Sequence, residues 1–208
     1  MSDLFYPVLY ATTASSALPV AAGFAFYRRA RLDTKILLAL FILILAIDFY
    51  YLYCAWRQSS ANWIHHFYLP VEYAALGIVI STWQARLIEK KVILSSVVLF
   101  TLLCAWYIIG VQDWTSSSDF TASVACALFV GMASYTLIGI ERRQAGALLK
   151  DYRFWFLIGL LIYSSGNLAY FAFFRRFVSY YLWAGHNLLN IVANVCYTVG
   201  FVCQARWE

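Results

Sequence analysis

Charged residues are scarce in this chain of 208 residues. They make up 12% of it, against about 25% in an average soluble domain, and hydrophobic residues make up 63%. The longest break between apolar stretches, residues 141–153, is 13 residues long. No soluble catalytic or binding domain fits into such breaks, so the sequence predicts a protein that works inside a membrane.

Lysine is absent from the interior of every apolar stretch. The four lysines all lie between stretches, at Lys35, Lys90, Lys91 and Lys150. A retinal protein needs a lysine within a span to form its Schiff base, so the sequence excludes a microbial-rhodopsin-like function. The net charge of +5 comes from short basic clusters rather than from a basic stripe interleaved with exposed aromatic residues. We therefore expect no nucleic-acid partner.

Paired cysteines are also missing. The five cysteines form no C-x-x-C pair, and their number is odd. A disulfide framework or a zinc ribbon would require paired spacings. We expect the cysteines to act as small, polarizable packing residues.

What the chain does contain is a series of seven apolar stretches. A bilayer core of about 30 Å requires roughly 20 residues of helix to cross it. The sequence therefore predicts an all-α, polytopic membrane protein, a seven-transmembrane helix bundle that forms a single domain over residues 1–208. The predicted spans are 4–27, 36–56, 64–85, 92–112, 120–140, 154–174 and 179–203. The predicted helix N-caps are Asp33 or Thr34, Asp119, Asp151 and Ser179.

The distribution of basic residues predicts the orientation of the bundle. Of the 15 Lys and Arg residues, 12 follow spans 1, 3, 5 and 7, and three follow spans 2 and 6. Cytoplasmic loops carry the excess of basic residues in membrane proteins. The N-terminus is therefore predicted to lie outside and the C-terminus inside. Aromatic residues cluster at the predicted outer ends, which indicates either an interfacial belt or an aromatic-walled pocket that opens outward.

Two carboxylic acids lie within predicted spans, Asp48 in span 2 and Glu72 in span 3. An ionised carboxylate near the middle of a membrane costs roughly 2.5–3.5 kcal/mol on insertion scales. Acids in such positions usually face the interior of a bundle or a polar cavity, and they mark functional sites.

Further polar residues fall on the same helical faces as these acids or on faces of neighbouring spans. His65, Tyr68 and Glu72 share one face of span 3, because their spacings are three, four and seven residues. Tyr163 and Asn167 share a face of span 6, and a polar stripe in span 7 begins at His186 and Asn190. His66 lies about 100° around the helix from His65 and is predicted to be interfacial.

Two interpretations of these faces remain open. In the first, the polar side chains are hydrogen-bonding groups between helices, and the carboxyl groups are protonated or paired with histidine. In the second, they line an outward-opening site with the acids as polar anchors, the histidines as partners that titrate or donate, the asparagines as hydrogen-bonding groups and the tyrosines as walls. The ligand-binding residues predicted for this site are Asp48, His65, Tyr68, Glu72, Tyr163, Asn167, His186 and Asn190.

One enzymatic alternative follows from a resemblance in composition. The chain resembles membrane zinc hydrolases of the ceramidase and adiponectin-receptor superfamily, which implies zinc held by His65, His186 and an acid in a span. That superfamily carries a His-x-x-x-His pair in its last span. Here the corresponding spacing reads His186-x-x-x-Asn190, and asparagine is a poor zinc ligand.

Two further alternatives are a b-type haem protein and a small-solute transporter. A haem would be held between His65 or His66 and His186. Seven spans in a chain of this length are similar to small triple-helix-repeat transporters, although their Pro-Gln signature is absent and the prolines of spans 1 and 3 have no counterparts in spans 5 and 7.

The sequence contains no nucleophile motif and no phosphate loop. We therefore expect a non-enzymatic membrane protein that binds a small ligand or cofactor of unassigned identity in its outer half. It would act as a receptor-like module or as a subunit of a membrane complex. The expected partners are the lipid bilayer, a small molecule and other membrane subunits. The expected location is a cell membrane, with the bacterial inner membrane as the first choice.

Overall fold

The computed structural model describes residues 5–110, 119–143, 148–174 and 180–207. These ranges contain seven α-helices and two short 3₁₀ turns, at Tyr27–Arg29 and Leu148–Lys150. The helices are α1 Phe5–Ala25, α2 Leu32–Arg57, α3 Asn62–Thr82, α4 Leu87–Gly110, α5 Asp119–Arg143, α6 Tyr152–Phe174 and α7 Tyr180–Trp207. The described part of the chain is therefore mostly helical, and each predicted span overlaps one helix.

The predicted N-caps have different outcomes. Asp151 precedes α6 and accepts a hydrogen bond from the backbone N–H of Arg153 at 2.9 Å, as an N-cap does. The prediction for Asp33 or Thr34 is wrong, because α2 begins at Leu32 and both residues lie within its first turn. Asp119 is itself the first residue of α5. Ser179 lies outside the described residues.

Six of the described helices are long and apolar enough to cross a membrane, and α3 is not among them. The mean hydropathy of α3 is lowered by His65, His66 and Glu72, which are titratable residues. Its exposed side is nevertheless apolar, because Trp63, Phe67, Val71 and Ile78 are the exposed residues between Trp63 and Ser81. This composition is consistent with a helical membrane protein.

The helices pack as a ring with one helix outside it. α1 contacts α2 and α7, α6 contacts α5 and α7, and α3 contacts α2 and α5. These contacts close a ring in the order α1, α2, α3, α5, α6, α7. α4 lies outside the ring against α3 and α5. Tyr73 of α3 marks this junction, with its ring 4.2 Å from that of Phe100 in α4 and 4.9 Å from that of Phe129 in α5.

The two ends of the bundle differ in composition. The basic end holds the connection 26–31 and the end of α7, where Gln204 donates a hydrogen bond to the Arg29 carbonyl at 3.0 Å. The opposite end, here called the aromatic end, holds the connection 58–61. There Trp56 donates to the Tyr10 hydroxyl at 3.2 Å, and rings from α1 and α7 stack 4.8 Å apart. Consecutive antiparallel helices therefore bring most basic residues to one end.

A buried acid joins three helices at the basic end. Asp33 of α2 is 6% exposed, and its Oδ2 accepts hydrogen bonds from Trp83 Nε1 at 2.7 Å and from the Tyr152 hydroxyl at 2.6 Å. Trp83 directly follows α3, and Tyr152 begins α6. We call these three residues the Asp33 cluster. It links α2, α3 and α6 through two short hydrogen bonds to one carboxyl oxygen.

Candidate functional site

The ring of helices encloses a cavity of about 540 Å³. Its described walls come from α1, α2, α3, α6 and α7. This volume falls within the range of about 300–1,000 Å³ that is typical of small-molecule sites. All eight residues predicted from the sequence line this cavity: Asp48, His65, Tyr68, Glu72, Tyr163, Asn167, His186 and Asn190. The structure thus brings the predicted polar faces together, whereas ligand binding by them stays a prediction.

Glu72 lies at the centre of a group that joins α3 to α6. The residue is 4% exposed. The hydroxyl groups of Tyr68 and Tyr163 both hydrogen-bond its carboxyl group. Tyr68 lies one helical turn before Glu72, which places both side chains on the same face of α3. The two tyrosines are therefore partners of the acid, in addition to forming part of the cavity wall.

Asp48 reaches the cavity from α2 and is held by α1. Its carboxyl group hydrogen-bonds the side chain of Ser16, which is buried and whose hydroxyl lies 2.8 Å from the carbonyl oxygen of Thr13. The Asp48 carboxyl group also interacts electrostatically with the hydroxyl groups of Tyr51 and Tyr68. In the described part of the chain, both acids therefore have hydroxyl partners, and the predicted pairing of carboxyl groups with histidine is not what the structure gives.

The two histidines line the cavity at its aromatic end. His186 of α7 stacks on the Tyr170 ring at 4.8 Å, and its Nε2 lies 3.2 Å from the Asn190 side-chain nitrogen. His65 of α3 packs against the Tyr51 ring at 5.5 Å. The imidazoles of His65 and His186 interact electrostatically with each other. Aromatic rings thus fix the orientation of both imidazoles while leaving nitrogen atoms available.

Four buried polar atoms of the cavity wall have no hydrogen-bond partner among the described residues. They are the Tyr51 hydroxyl, Nδ1 of His65, Nδ1 of His186 and Oδ1 of Asn190. A buried polar group without a partner costs about 1–3 kcal/mol. Whichever way the amide of Asn190 is turned, its pair with a neutral His186 presents one donor and one acceptor. The cavity wall therefore carries donors and acceptors that have no partner among the described residues.

His66 was predicted to be interfacial, and the structure shows that its side chain is buried within the protein. The residue is 4% exposed and therefore buried. It lies seven residues before Tyr73, on the same face of α3, and Tyr73 packs between α4 and α5. The burial of His66 could not be read from the sequence alone, and its position at the membrane interface stays a prediction.

Sequence reasoning missed the contribution of α1 and the role of Tyr51. Thr12 and Thr13 of α1 line the cavity, Ser16 holds Asp48, and Ser15 accepts a hydrogen bond from Asn194 of α7 at 2.9 Å. The available signal was the run Thr-Thr-Ala-Ser-Ser at residues 12–16, small polar residues that favour close helix contacts in membranes. Tyr51 was visible only as one of several aromatic residues near the end of span 2.

A metal site does not assemble in the described part of the chain. No three His, Cys, Asp or Glu side chains among those residues are placed to hold a metal ion together. His65, His186 and the two acids therefore do not form the ligand set of the zinc alternative. The five cysteines are buried and free, as expected for packing residues.

Comparison of the chain with protein-family models, with curated proteins and with solved structures finds no match. The function is therefore argued from the cavity and its residues.

Proposed function

We propose that this chain is a seven-helix integral membrane protein that binds a small molecule in the cavity enclosed by its helices. The role is non-enzymatic, as a receptor-like module or as a ligand-binding subunit of a membrane complex. The residues that contact the ligand are the eight that were predicted from the sequence and that line the cavity, together with Tyr51.

The membrane assignment rests on the outer surface of the bundle. α4 exposes the large apolar side chains of Val98, Leu99, Leu102, Trp106 and Ile109 on its outside. Soluble monomers rarely expose contiguous apolar surface of this kind. α3 is proposed to cross as the seventh span, because its exposed residues between Trp63 and Ser81 are apolar and its acid faces protein.

The basic end is proposed to face the cytoplasm and the aromatic end the outside. This orientation follows the excess of Lys and Arg at the basic end. It places the N-terminus outside and the C-terminus inside. The two histidines and Asp48 then lie in the outer half of the bundle, and a cell membrane such as the bacterial inner membrane is the proposed location.

The observation that carries the binding proposal is the set of four unpartnered polar atoms on the cavity wall. They come from α2, α3 and α7, helices that are distant in sequence. Leaving all four unsatisfied would cost several kcal/mol, at about 1–3 kcal/mol each. Helix packing alone gives no reason to direct such atoms into one cavity, whereas a ligand with polar groups does.

The first test is mass spectrometry of the protein purified in mild detergent, with an absorption spectrum of the same sample. We expect a small molecule bound at about one per chain, and weaker retention in Asn190→Leu, which removes the amide with its unpartnered atom. Ser164→Ala is the matched control, because Ser164 Oγ is also buried and unpartnered but is not among the described residues that line the cavity.

Equal retention in both variants would contradict a site at Asn190. Wild-type protein that carries no small molecule, and that none of a panel of metabolites protects against heat, would contradict the binding proposal. A Soret band in the absorption spectrum would replace the proposed ligand with haem.

Transport is the second candidate, and the length of the cavity favours it. Its walls extend from Asn62, the first residue of α3, to Trp83, just beyond the end of that helix. A helix of 21 residues is about 30 Å long, comparable to the thickness of a bilayer core. A transporter would move the co-purifying solute across liposome membranes, and Glu72→Gln would abolish that flux. Binding without flux in sealed proteoliposomes would eliminate this candidate.

A further inference from the structure

The titratable side chains of the cavity wall indicate which charge a ligand would carry. Two carboxyl groups, those of Asp48 and Glu72, are on its wall, and none of its described lining residues is Lys or Arg. An anionic ligand would have to enter beside these two acids without a cationic partner from the described wall. A cationic ligand would instead lie near two acids whose ionised form it favours, in surroundings where charge interactions are stronger than in water.

Aromatic side chains form a large share of the same wall. A cation over the face of such a ring gains about 0.5–1 kcal/mol at exposed sites and about 2 kcal/mol or more when desolvated. Aromatic walls that carry a few acidic groups are suited to substituted ammonium ions, whose carbon substituents contact the rings. The aromatic residues that line the cavity are Phe41, Tyr51, Tyr68, Trp83, Phe156, Tyr163, Tyr170, Phe171, Trp183 and Tyr197.

A cationic ligand would offset the free-energy cost of burying these two acids. Glu72 is buried, and its hydrogen-bond partners among the described residues are two tyrosine hydroxyls, which carry no charge. Asp48 is held by a serine hydroxyl. Acids inside spans are costly, and they typically pair with a cation or serve a substrate or ion pathway. No Lys or Arg of the described wall offers such a pair, and the described hydrogen-bond partners of the acids are hydroxyl groups rather than histidines, which leaves the ligand to supply it.

From these three features we infer that the ligand is a hydrophobic organic cation, a protonated or substituted amine with an apolar body. Its ammonium group binds between Asp48 and Glu72, and its apolar body lies along the aromatic wall. The unpartnered atoms near the aromatic end, on His65, His186 and Asn190, bind a second, neutral polar group of the same molecule. This inference rests on the proposed binding function and specifies the chemical class of its ligand.

The inference is tested with three probes of similar size that differ in charge: naphthylmethylamine, naphthylmethanol and naphthoate. Binding to the purified protein is measured by titration calorimetry in detergent, with thermal stabilisation as a second readout. We expect the amine to bind at least about tenfold more tightly than the alcohol, and the carboxylate to bind most weakly. Glu72→Gln and Asp48→Asn should each weaken the amine about tenfold or more while leaving the alcohol nearly unchanged.

Glu89→Gln is the matched control. Glu89 lies in the first turn of α4 at the basic end, where its Oε1 accepts a hydrogen bond from the exposed Tyr135 hydroxyl at 2.8 Å. Its substitution removes the same charge outside the described cavity wall and should leave amine affinity unchanged.

The possible failures are distinguishable. If the alcohol or the carboxylate binds as tightly as the amine, or if Glu89→Gln weakens the amine as much as Glu72→Gln does, the cationic class is wrong and small-molecule binding stands. If none of the three probes binds and the purified protein also retains no small molecule, both this inference and the proposed function are overturned. Glu72→Gln and Asp48→Asn are nearly isosteric with the wild type. If both variants fold and both lose amine binding, the loss is an effect of charge.

Discussion

Asp33→Leu is expected to lower the free energy of unfolding by about 2–6 kcal/mol, because two buried donors lose their common acceptor and each costs about 1–3 kcal/mol. Trp83 Nε1 and the Tyr152 hydroxyl both donate to Asp33 Oδ2, at 2.7 and 2.6 Å. Leucine fills a similar volume but accepts no hydrogen bond. The change is measured by unfolding in mixed micelles or by thermal denaturation in mild detergent.

Arg31→Ala is the control for general electrostatic effects near this acid. Arg31 Nε lies 3.8 Å from Asp33 Oδ1, and the Arg31 side chain is 60% exposed. An ion pair of this kind contributes about 0–1 kcal/mol. If Asp33→Leu were no more destabilising than Arg31→Ala, the hydrogen bonds from Trp83 and Tyr152 would not be what holds this end of the bundle together.

A double-mutant cycle separates the two donors of the cluster. Trp83→Phe and Tyr152→Phe each remove one hydrogen bond to the same oxygen of Asp33 while keeping an aromatic ring. Because the donors share an acceptor, their effects should not add, with a coupling of about 0.5 kcal/mol or more. Trp83 also lines the cavity. The cluster therefore fixes one part of the cavity wall at the basic end.

The sequence predicted the positions of the helices because hydropathy and helix length are local properties. The predicted boundaries differ most where charge was used to end a span. Span 4 was begun at residue 92, after Glu89, Lys90 and Lys91, yet α4 begins at Leu87. Charged side chains at the end of a span extend toward water while their backbone remains helical. Charge therefore indicates the membrane boundary better than it indicates the helix boundary.

The arrangement of the helices could not be predicted, because it depends on packing between residues far apart in sequence. Periodicity gave the polar faces of α2, α3, α6 and α7, and the structure turns these faces to one cavity. It did not give the place of α4 outside the ring or the burial of His66 within the protein. Nor did it reveal that α1 holds Asp48 through Ser16.

Asp33 shows the same limit at a single residue. Its position next to an apolar stretch matches a helix N-cap, and this was the predicted role. Its actual partners, Trp83 and Tyr152, lie 50 and 119 positions along the chain. A single sequence offers no local pattern that connects these three residues. Hydrogen bonds across a bundle become visible only once the helix order is known.

Gly159→Ala is expected to destabilise the contact between α6 and α7 by about 1–3 kcal/mol, because it overpacks a close helix crossing. A Cβ atom at Gly159 would lie 2.6 Å from the Tyr197 ring and 3.1 Å from the Ala193 carbonyl oxygen. The ring could move, but the carbonyl belongs to the backbone of α7. Small residues let helices approach closely in membranes, where packing is a main source of association.

The same substitution should also weaken ligand binding, because Tyr197 lines the cavity and is the side chain that must move. Gly131→Ala is the matched control in α5, since a Cβ atom there would meet no atom within 4 Å. In the control, alanine should be neutral or stabilise the helix by up to about 1 kcal/mol. Thermal denaturation of both variants and amine titration of Gly159→Ala test this pair. Equal stability of the two variants would mean that α6 and α7 do not depend on close approach at Gly159. Unchanged amine affinity in Gly159→Ala would mean that Tyr197 can move without deforming the cavity wall.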